Sequence, residues 1–225
     1  ETLIHSSNIV TAQIADQLGA VRMDAMLRAM HFNARPDIEL AEKSMPLYPK
    51  TWGRLTNMTV GFGHGIAVTP MHLASAYAAM VNGGIYRPAT LVKRDPTAPL
   101  HDGDRVISEQ TSIKVRNMLD YVVREGTGGN ADAQGYRVGG KTGTADKPSR
   151  GAYNEDARIA TFLGAFPIED PKYVLLVMVD EPIPQEHTSG YATGGWVAAP
   201  AFKRIVERTA PMLGIEQILP AEESD

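Results

Sequence analysis

Apolar positions recur at helical spacing through the first 130 or so residues and switch to strand-like runs in the last third of the chain. Ile9, Val10, Ile14 and Leu18 line one side of a helix that opens at Asn8 and stops at Gly19. Asp24 is placed to cap a second helix carrying Met26, Leu27 and Met30. Residues 33–57 hold Pro36, Pro46 and Pro49 and read as surface loop. Thr69-Pro70 predicts a helix start, with threonine as N-cap and proline at the first position. Leu73, Ala74, Tyr77, Ala78, Met80 and Val81 follow, and Gly83-Gly84 ends the element. Residues 85–92 read as a short strand, and 95–104, with Pro96, Pro99 and Gly103, as a turn-rich connector. Ser108 opens a further helix whose apolar face is Ile113, Val115, Met118, Leu119, Val122 and Val123, stopped by Gly126. Residues 125–135 form a glycine-rich loop.

Three β-prone runs come next, at 136–145, 157–166 and 173–179, with Asn154 and the stretch from Pro167 to Pro171 as turn material between them. The second gap is short, which predicts an antiparallel hairpin. The last run is almost continuously apolar, so both its faces are expected to be covered. After a long loop over 180–194, residues 198–212 read as a closing helix, and the acidic tail from Pro220 onward as disordered. Helices first and strands later give an α+β outline, without internal repeats.

Composition narrows the field. A hydrophobic content of 43% is that of a globular protein able to bury a core. The net charge of −4 gives no support for nucleic-acid binding. There is no cysteine, so disulfides and thiolate metal sites are excluded. The histidines, His5, His31, His64, His72, His101 and His187, lack metal-binding spacing. No apolar run approaches the roughly 18 residues of a membrane helix, and no signal peptide is visible.

The chemistry concentrates in Lys141-Thr142-Gly143-Thr144. From Gly135 to Thr142 the chain fits G-x-x-x-x-G-K-[ST], the phosphate-binding loop; with its flanks it also fits the K-T-G element of serine acyl-transferases. A phosphate loop needs a helix beginning at the lysine. Gly143, Pro148 and Gly151 oppose one, so a strand is expected. Near the start, Ser6-Ser7-Asn8 supplies an S-x-N element directly before a helix. Taken alone these residues are N-cap candidates, and Lys141 alone is a solvating residue on an edge strand. A dyad between neighbouring His5 and Ser6 is disfavoured, because adjacent residues rarely present their groups to each other. Trp52 and Trp196 read as packing residues.

S-x-N followed by K-T-G, together with the glycine-rich run 61–65 into Val68-Thr69-Pro70, Glu125-Gly126-Thr127-Gly128 and Tyr191-Ala192-Thr193-Gly194-Gly195, resembles the C-terminal part of a class B penicillin-binding protein transpeptidase domain, most closely the cell-division type. The resemblance runs over nearly the whole chain. It implies one domain, with a mainly helical part at 1–130, strands and a closing helix at 131–213 and a tail at 214–225. It also implies an antiparallel sheet packed by helices, incomplete on its N-terminal side. The family's nucleophile lies in S-x-x-K, and no serine here has lysine three positions later. The chain is therefore expected to be a fragment, inactive alone, of a longer protein anchored upstream to the bacterial inner membrane and facing the periplasm.

By resemblance, the upstream serine attacks a peptidoglycan stem peptide ending in D-Ala-D-Ala, and the upstream lysine takes its proton. Ser6 shuttles a proton and Asn8 holds the substrate amide, facing the K-T-G strand across one cleft. Lys141 supplies positive potential. Thr142 and Thr144 hydrogen-bond the substrate carboxylate, and Gly143 allows close approach. Tyr191 and Gly194 border the pocket. Regular alternation puts Lys141 and Gly143 on one face of a strand and Thr142 and Thr144 on the other, so a local twist at Gly143 is expected. The implied partners are the stem peptide, β-lactam antibiotics and other division proteins, with no nucleic acid and no metal or organic cofactor. The competing readings are a β-lactam-hydrolysing or β-lactam-sensing relative, a non-catalytic division scaffold, and a nucleotide-binding loop.

Overall fold

A computed structural model describes residues 1–95, 97–99, 102–149 and 152–218. The chain forms two compact units. A helical unit comprises Ser6–Ile113 with Thr2, and a sheet unit comprises Lys114–Asp225 with Glu1 and Leu3–His5.

In the helical unit, α1 (Asn8–Leu18) is capped by Ser7, whose Oγ accepts from the Val10 N–H at 3.3 Å. Gly19, at φ +82°, ends α1 and opens α2 (Ala20–Ala29) in one step. The second helix therefore starts earlier than Asp24 suggested. Asp24 is not a cap; its carboxylate pairs sideways with Arg28, one helical turn on, and accepts from the Tyr48 hydroxyl at 2.6 Å. A further departure is α3 (Arg54–Gly61), part of which falls in the stretch expected to be loop. It has no side-chain cap, and its partner is α1: a Cβ on Gly61 would lie 2.6 Å from that of Ala15, and buried Asn57 donates to the Ala15 carbonyl. Contact between helices, not local signal, makes this element.

The helix α4 (Pro70–Val81) begins where Thr69-Pro70 predicted. Its cap is a box: Thr69 Oγ1 accepts from the His72 N–H, and the buried His72 ring accepts the Thr69 N–H at Nδ1. The His72 Nε2 is 2.9 Å from the Ala34 carbonyl, which ties the 31–36 turn to the helix. Met30, Ala76, Ala79 and Tyr86 form the core, with Met26, Phe32, Met80 and Val106 packed against it. The strand expected over 85–92 is only β1 (Ile85–Tyr86), paired antiparallel with β2 (Asp104–Arg105). Part of the predicted connector, residues 96, 100 and 101, lies outside the described residues, as does the tail from Pro220.

The helix α5 (Glu109–Glu125) starts as predicted beside Ser108, whose Oγ accepts from the Thr111 N–H. In the sheet unit its Leu119, Val122 and Val123 are buried while Met118 is exposed. Three antiparallel strands follow in the order β3-β4-β5: β3 (Gly139–Ser149), β4 (Ala152–Phe166) and β5 (Tyr173–Asp180). The first hairpin runs further than predicted. Asn154 pairs with Lys147 within the ladder and is not turn material, because a register shift between Asp146 and Lys147 lets both arms continue. In β5, Leu175 and Val177 pack onto the core, whereas Met178 is 42% exposed, so the expected cover of both faces is not present within the described residues. The closing helix α6 (Ala198–Thr209) is shorter than predicted and gives way to a 3-10 turn at Pro211–Leu213, since Pro211 has no N–H to continue it. Phe202 of α6 meets Phe162 of β4 edge to face at 4.8 Å, both fully buried, in a core that includes Val123, Val138, Phe166 and Val206. Among the described residues no helix is long and apolar enough to cross a membrane.

Candidate functional site

Lys141-Thr142-Gly143-Thr144 lies in the middle of β3, which is extended through Thr144 and beyond; no helix begins at Lys141. This removes the nucleotide-binding reading, whose phosphates need that helix N-terminus. β3 is an edge strand of the described sheet. Antiparallel pairing with β4 engages alternate backbone groups and turns the others away from it.

The ladder keeps its register through Gly143, paired with Thr161, and shifts only beyond Asp146. The register is thus unbroken at Gly143, the position of the expected twist. The lysine chain is also long enough to reach across the alternation. The Lys141 Nζ folds back to donate to the Thr142 carbonyl at 3.1 Å and to Thr142 Oγ1 at 3.2 Å. Burial holds its ammonium below the usual lysine range, because water is partly stripped from the charge. The result is a partly desolvated cation joined to a hydroxyl, an arrangement able to attract and orient an anionic group.

Two other segments of the sheet unit, the loop after α5 and the loop before α6, meet this strand and each other. From the glycine-rich loop after α5, Thr127 Oγ1 lies 3.1 Å from Thr142 Oγ1, and the Thr127 N–H donates to the Ile4 carbonyl. From the 3-10 turn Gly129–Ala131, Asn130 Nδ2 donates to the Gly195 carbonyl at 2.8 Å. From the loop before α6, the Gly194 N–H donates to Thr144 Oγ1 at 3.1 Å. Gly194 is docked so closely that a Cβ there would lie 2.3 Å from the Thr161 carbonyl oxygen and 2.5 Å from that of Gly143. Its own carbonyl accepts the N–H groups of Ala198 and Ala199, anchoring the start of α6. Tyr191 and Trp196 stack across this glycine turn, with ring centroids 5.5 Å apart and planes within 20°. Both rings are partly exposed, and Trp196 packs against Tyr191.

Lys141, Thr142, Gly143, Thr144 and Gly194 are thus brought together, with Tyr191 on the same loop as Gly194. Ser6 and Asn8 belong to the helical unit. There Ser7 takes the capping role, Asn8 is the first residue of α1, and Ser6 sits at φ +53°, a sparsely populated conformation for serine. His5 lies 3.2 Å from the Glu1 carboxylate. The alternation of the sequence carries no sign of Asn130 or of the Tyr191–Trp196 stack; the first depends on two loops meeting in space, the second on the fold of a single loop.

The profile of the penicillin binding protein transpeptidase domain family matches residues 1–207. Among curated proteins, the chain is 38% identical to a probable peptidoglycan D,D-transpeptidase FtsI of Caulobacter vibrioides over 96% of its own length and 38% of that protein's. It is 36% identical to stage V sporulation protein D of Bacillus subtilis, over 96% of its own length and 34% of the relative's. The transpeptidase domain of penicillin-binding protein 3 from Burkholderia pseudomallei superposes with a TM-score of 0.88 at 35% identity, covering 97% of this chain and 65% of that one. The chain therefore spans little more than a third of the length of these curated relatives.

Proposed function

We propose, from the premise that this chain belongs to the penicillin-binding protein transpeptidase family, that the protein carrying it cross-links peptidoglycan by acyl transfer in cell division. The reaction runs through a serine acyl-enzyme whose S-x-x-K nucleophile lies outside this chain. The observation that carries the reading is the partly desolvated Lys141 ammonium, bonded to Thr142 on an edge strand and flanked by the docked Gly194 turn. Acyl transfer from D-Ala-D-Ala needs fixed positive potential where the substrate carboxylate docks and donors where the oxyanion develops.

In this reading Lys141 provides the potential, the hydroxyls of Thr142 and Thr144 hold the carboxylate, and the Thr144 N–H is one oxyanion donor. Gly143 keeps the strand surface low, and Tyr191 and Gly194 border the pocket. Ser6 passes a proton between the nucleophile and the leaving amine, and Asn8 holds the substrate amide. The strained φ of Ser6 supports a role beyond capping, since Ser7 already caps α1. β-Lactams acylate the same serine; a related penicillin-binding protein 3 from a Mycobacterium has been crystallised with ampicillin. The protein works on the periplasmic side of the inner membrane, held by a segment outside this chain, alongside other division proteins.

Labelling with a fluorescent penicillin, followed by denaturing electrophoresis, tests the assignment. The full-length protein acquires a stable covalent label and this chain alone acquires none. Rapid turnover of the penicillin would point to a hydrolase, and a folded full-length protein that takes no label would point to a scaffold. A labelled band at the mass of this chain would place the nucleophile within it.

A further inference from the structure

We propose that Asn130 is a positioning residue that fixes the Thr144 hydroxyl as a hydrogen-bond donor to an anionic ligand group. The inference rests on the reading of the K-T-G-T strand as a carboxylate-binding site and assigns a part to a residue outside that strand.

A threonine hydroxyl has one hydrogen and two acceptor lone pairs. At Thr144, one lone pair is taken by the Gly194 N–H at 3.1 Å. The hydroxyl hydrogen must therefore point away from Gly194, and Thr144 is exposed, so that hydrogen is offered to whatever acceptor docks there. A carboxylate has only acceptors, which makes this preset orientation useful to it.

The orientation lasts only while the Gly194 N–H stays in place, and Gly194-Gly195 is intrinsically pliant backbone. Besides its close docking on β3 and β4, hydrogen bonds hold it from both sides. On one side the Gly194 carbonyl is bound to the Ala198 and Ala199 N–H groups. On the other, Asn130 Nδ2 grips the Gly195 carbonyl at 2.8 Å. Asn130 has a firm base: it belongs to the 3-10 turn Gly129–Ala131, whose Ala131 is fully buried in the core and donates its N–H to the Gly128 carbonyl at 2.8 Å. The amide of Asn130 thus connects the core to the turn that orients Thr144. Its own side chain is exposed, so replacing it creates no cavity.

The test uses the full-length protein and measures the second-order rate constant of acylation by benzylpenicillin and by its methyl ester, which lacks the carboxylate. In Asn130→Ala the benzylpenicillin rate falls about tenfold, the worth of one hydrogen bond, while the ester rate stays within twofold, so the acid-to-ester ratio collapses. Asn130→Asp keeps the shape but sets an acceptor against the Gly195 carbonyl, and is impaired at least as much. In a Thr144→Ala background, Asn130→Ala adds nothing, because the effect travels through that hydroxyl. Melting temperatures of the variants stay within a few degrees of wild type. Wild-type behaviour of Asn130→Asp, an equal loss with acid and ester, or full additivity with Thr144→Ala overturns the role of Asn130. A folded wild-type protein that benzylpenicillin does not acylate at all overturns instead the active-site reading on which it stands.

Discussion

Replacing Gly194 by alanine probes the joint that completes the K-T-G-T group. The added methyl would lie 2.3 Å from the Thr161 carbonyl oxygen, 2.5 Å from the Gly143 carbonyl oxygen and 3.2 Å from the Gly143 nitrogen, all backbone atoms of the β3–β4 ladder. Carbon–oxygen contacts relax only beyond about 3.3 Å, so the turn or the strand must move by roughly 1 Å. Backbone within a sheet does not give way as a flexible side chain does. Overpacking of this kind costs about 1–3 kcal/mol. The shift also strains the Gly194–Thr144 bond and the two bonds that start α6, at about 0.5–1.5 kcal/mol for each one lost. With one of these bonds lost the sum is about 1.5–4.5 kcal/mol, a large part of the ~5–15 kcal/mol that separates folded from unfolded domains. Gly190→Ala is the control. It sits at φ +75° with open space around it, so it pays only the left-handed penalty of about 1–2 kcal/mol. Denaturant unfolding with matched m-values compares the two. If Gly194→Ala unfolds within about 0.5 kcal/mol of wild type, or is less destabilised than Gly190→Ala, the turn is not docked on the strand as described.

The core of the sheet unit depends on the edge-to-face pair Phe162–Phe202, both fully buried, so Phe202→Ala is expected to cost about 3–5 kcal/mol in denaturant unfolding. Ser7→Ala removes the α1 cap and costs about 1 kcal/mol of stability, whereas in the full-length protein it leaves penicillin acylation within twofold and Ser6→Ala slows it by more than tenfold; matched acylation rates for the two variants would remove Ser6 from the mechanism. Burial lowers the Lys141 pKa, so in the window between its folded value and the ordinary lysine value the unfolded chain binds more protons. The stability of wild type relative to Lys141→Met therefore rises as pH climbs through that window; a difference that is flat or falls with pH contradicts the burial of this ammonium.

Much of this molecule is written in short-range signals. Thr69-Pro70 marks the start of α4 because capping and proline geometry act within one turn, and the stretch 173–179 reads as strand because a run of branched side chains suits no other half-buried element. Gly143 and Pro148 turn Lys141 away from a helix by the same local rules. The failures are non-local. α3 lacks a cap and exists through the close fit of Gly61 against Ala15. Asp24 looks like a cap but serves Arg28 and Tyr48 across space. At the site, K-T-G-T is legible as a motif, and Tyr191 and Gly194 through the family resemblance, yet the contacts that join these parts, Asn130 to Gly195 and Gly194 to Thr144, involve loops whose spacing carries no period. Their meeting is decided by the sheet and α6 that they bridge.

The most direct test of the central claim, that the Lys141 strand is the anion-binding half of an acyl-transfer site, is the acylation rate of full-length Lys141→Ala by a fluorescent penicillin, with circular dichroism recorded on the same sample. Removing a charge aimed at a reacting centre is worth a factor of about 10²–10³, and the fold should survive because the strand is held by its ladder to β4 and not by this side chain. A rate lower by two to three orders of magnitude in a folded variant is the predicted result. Acylation at the wild-type rate would make Lys141 a surface residue and contradict the account.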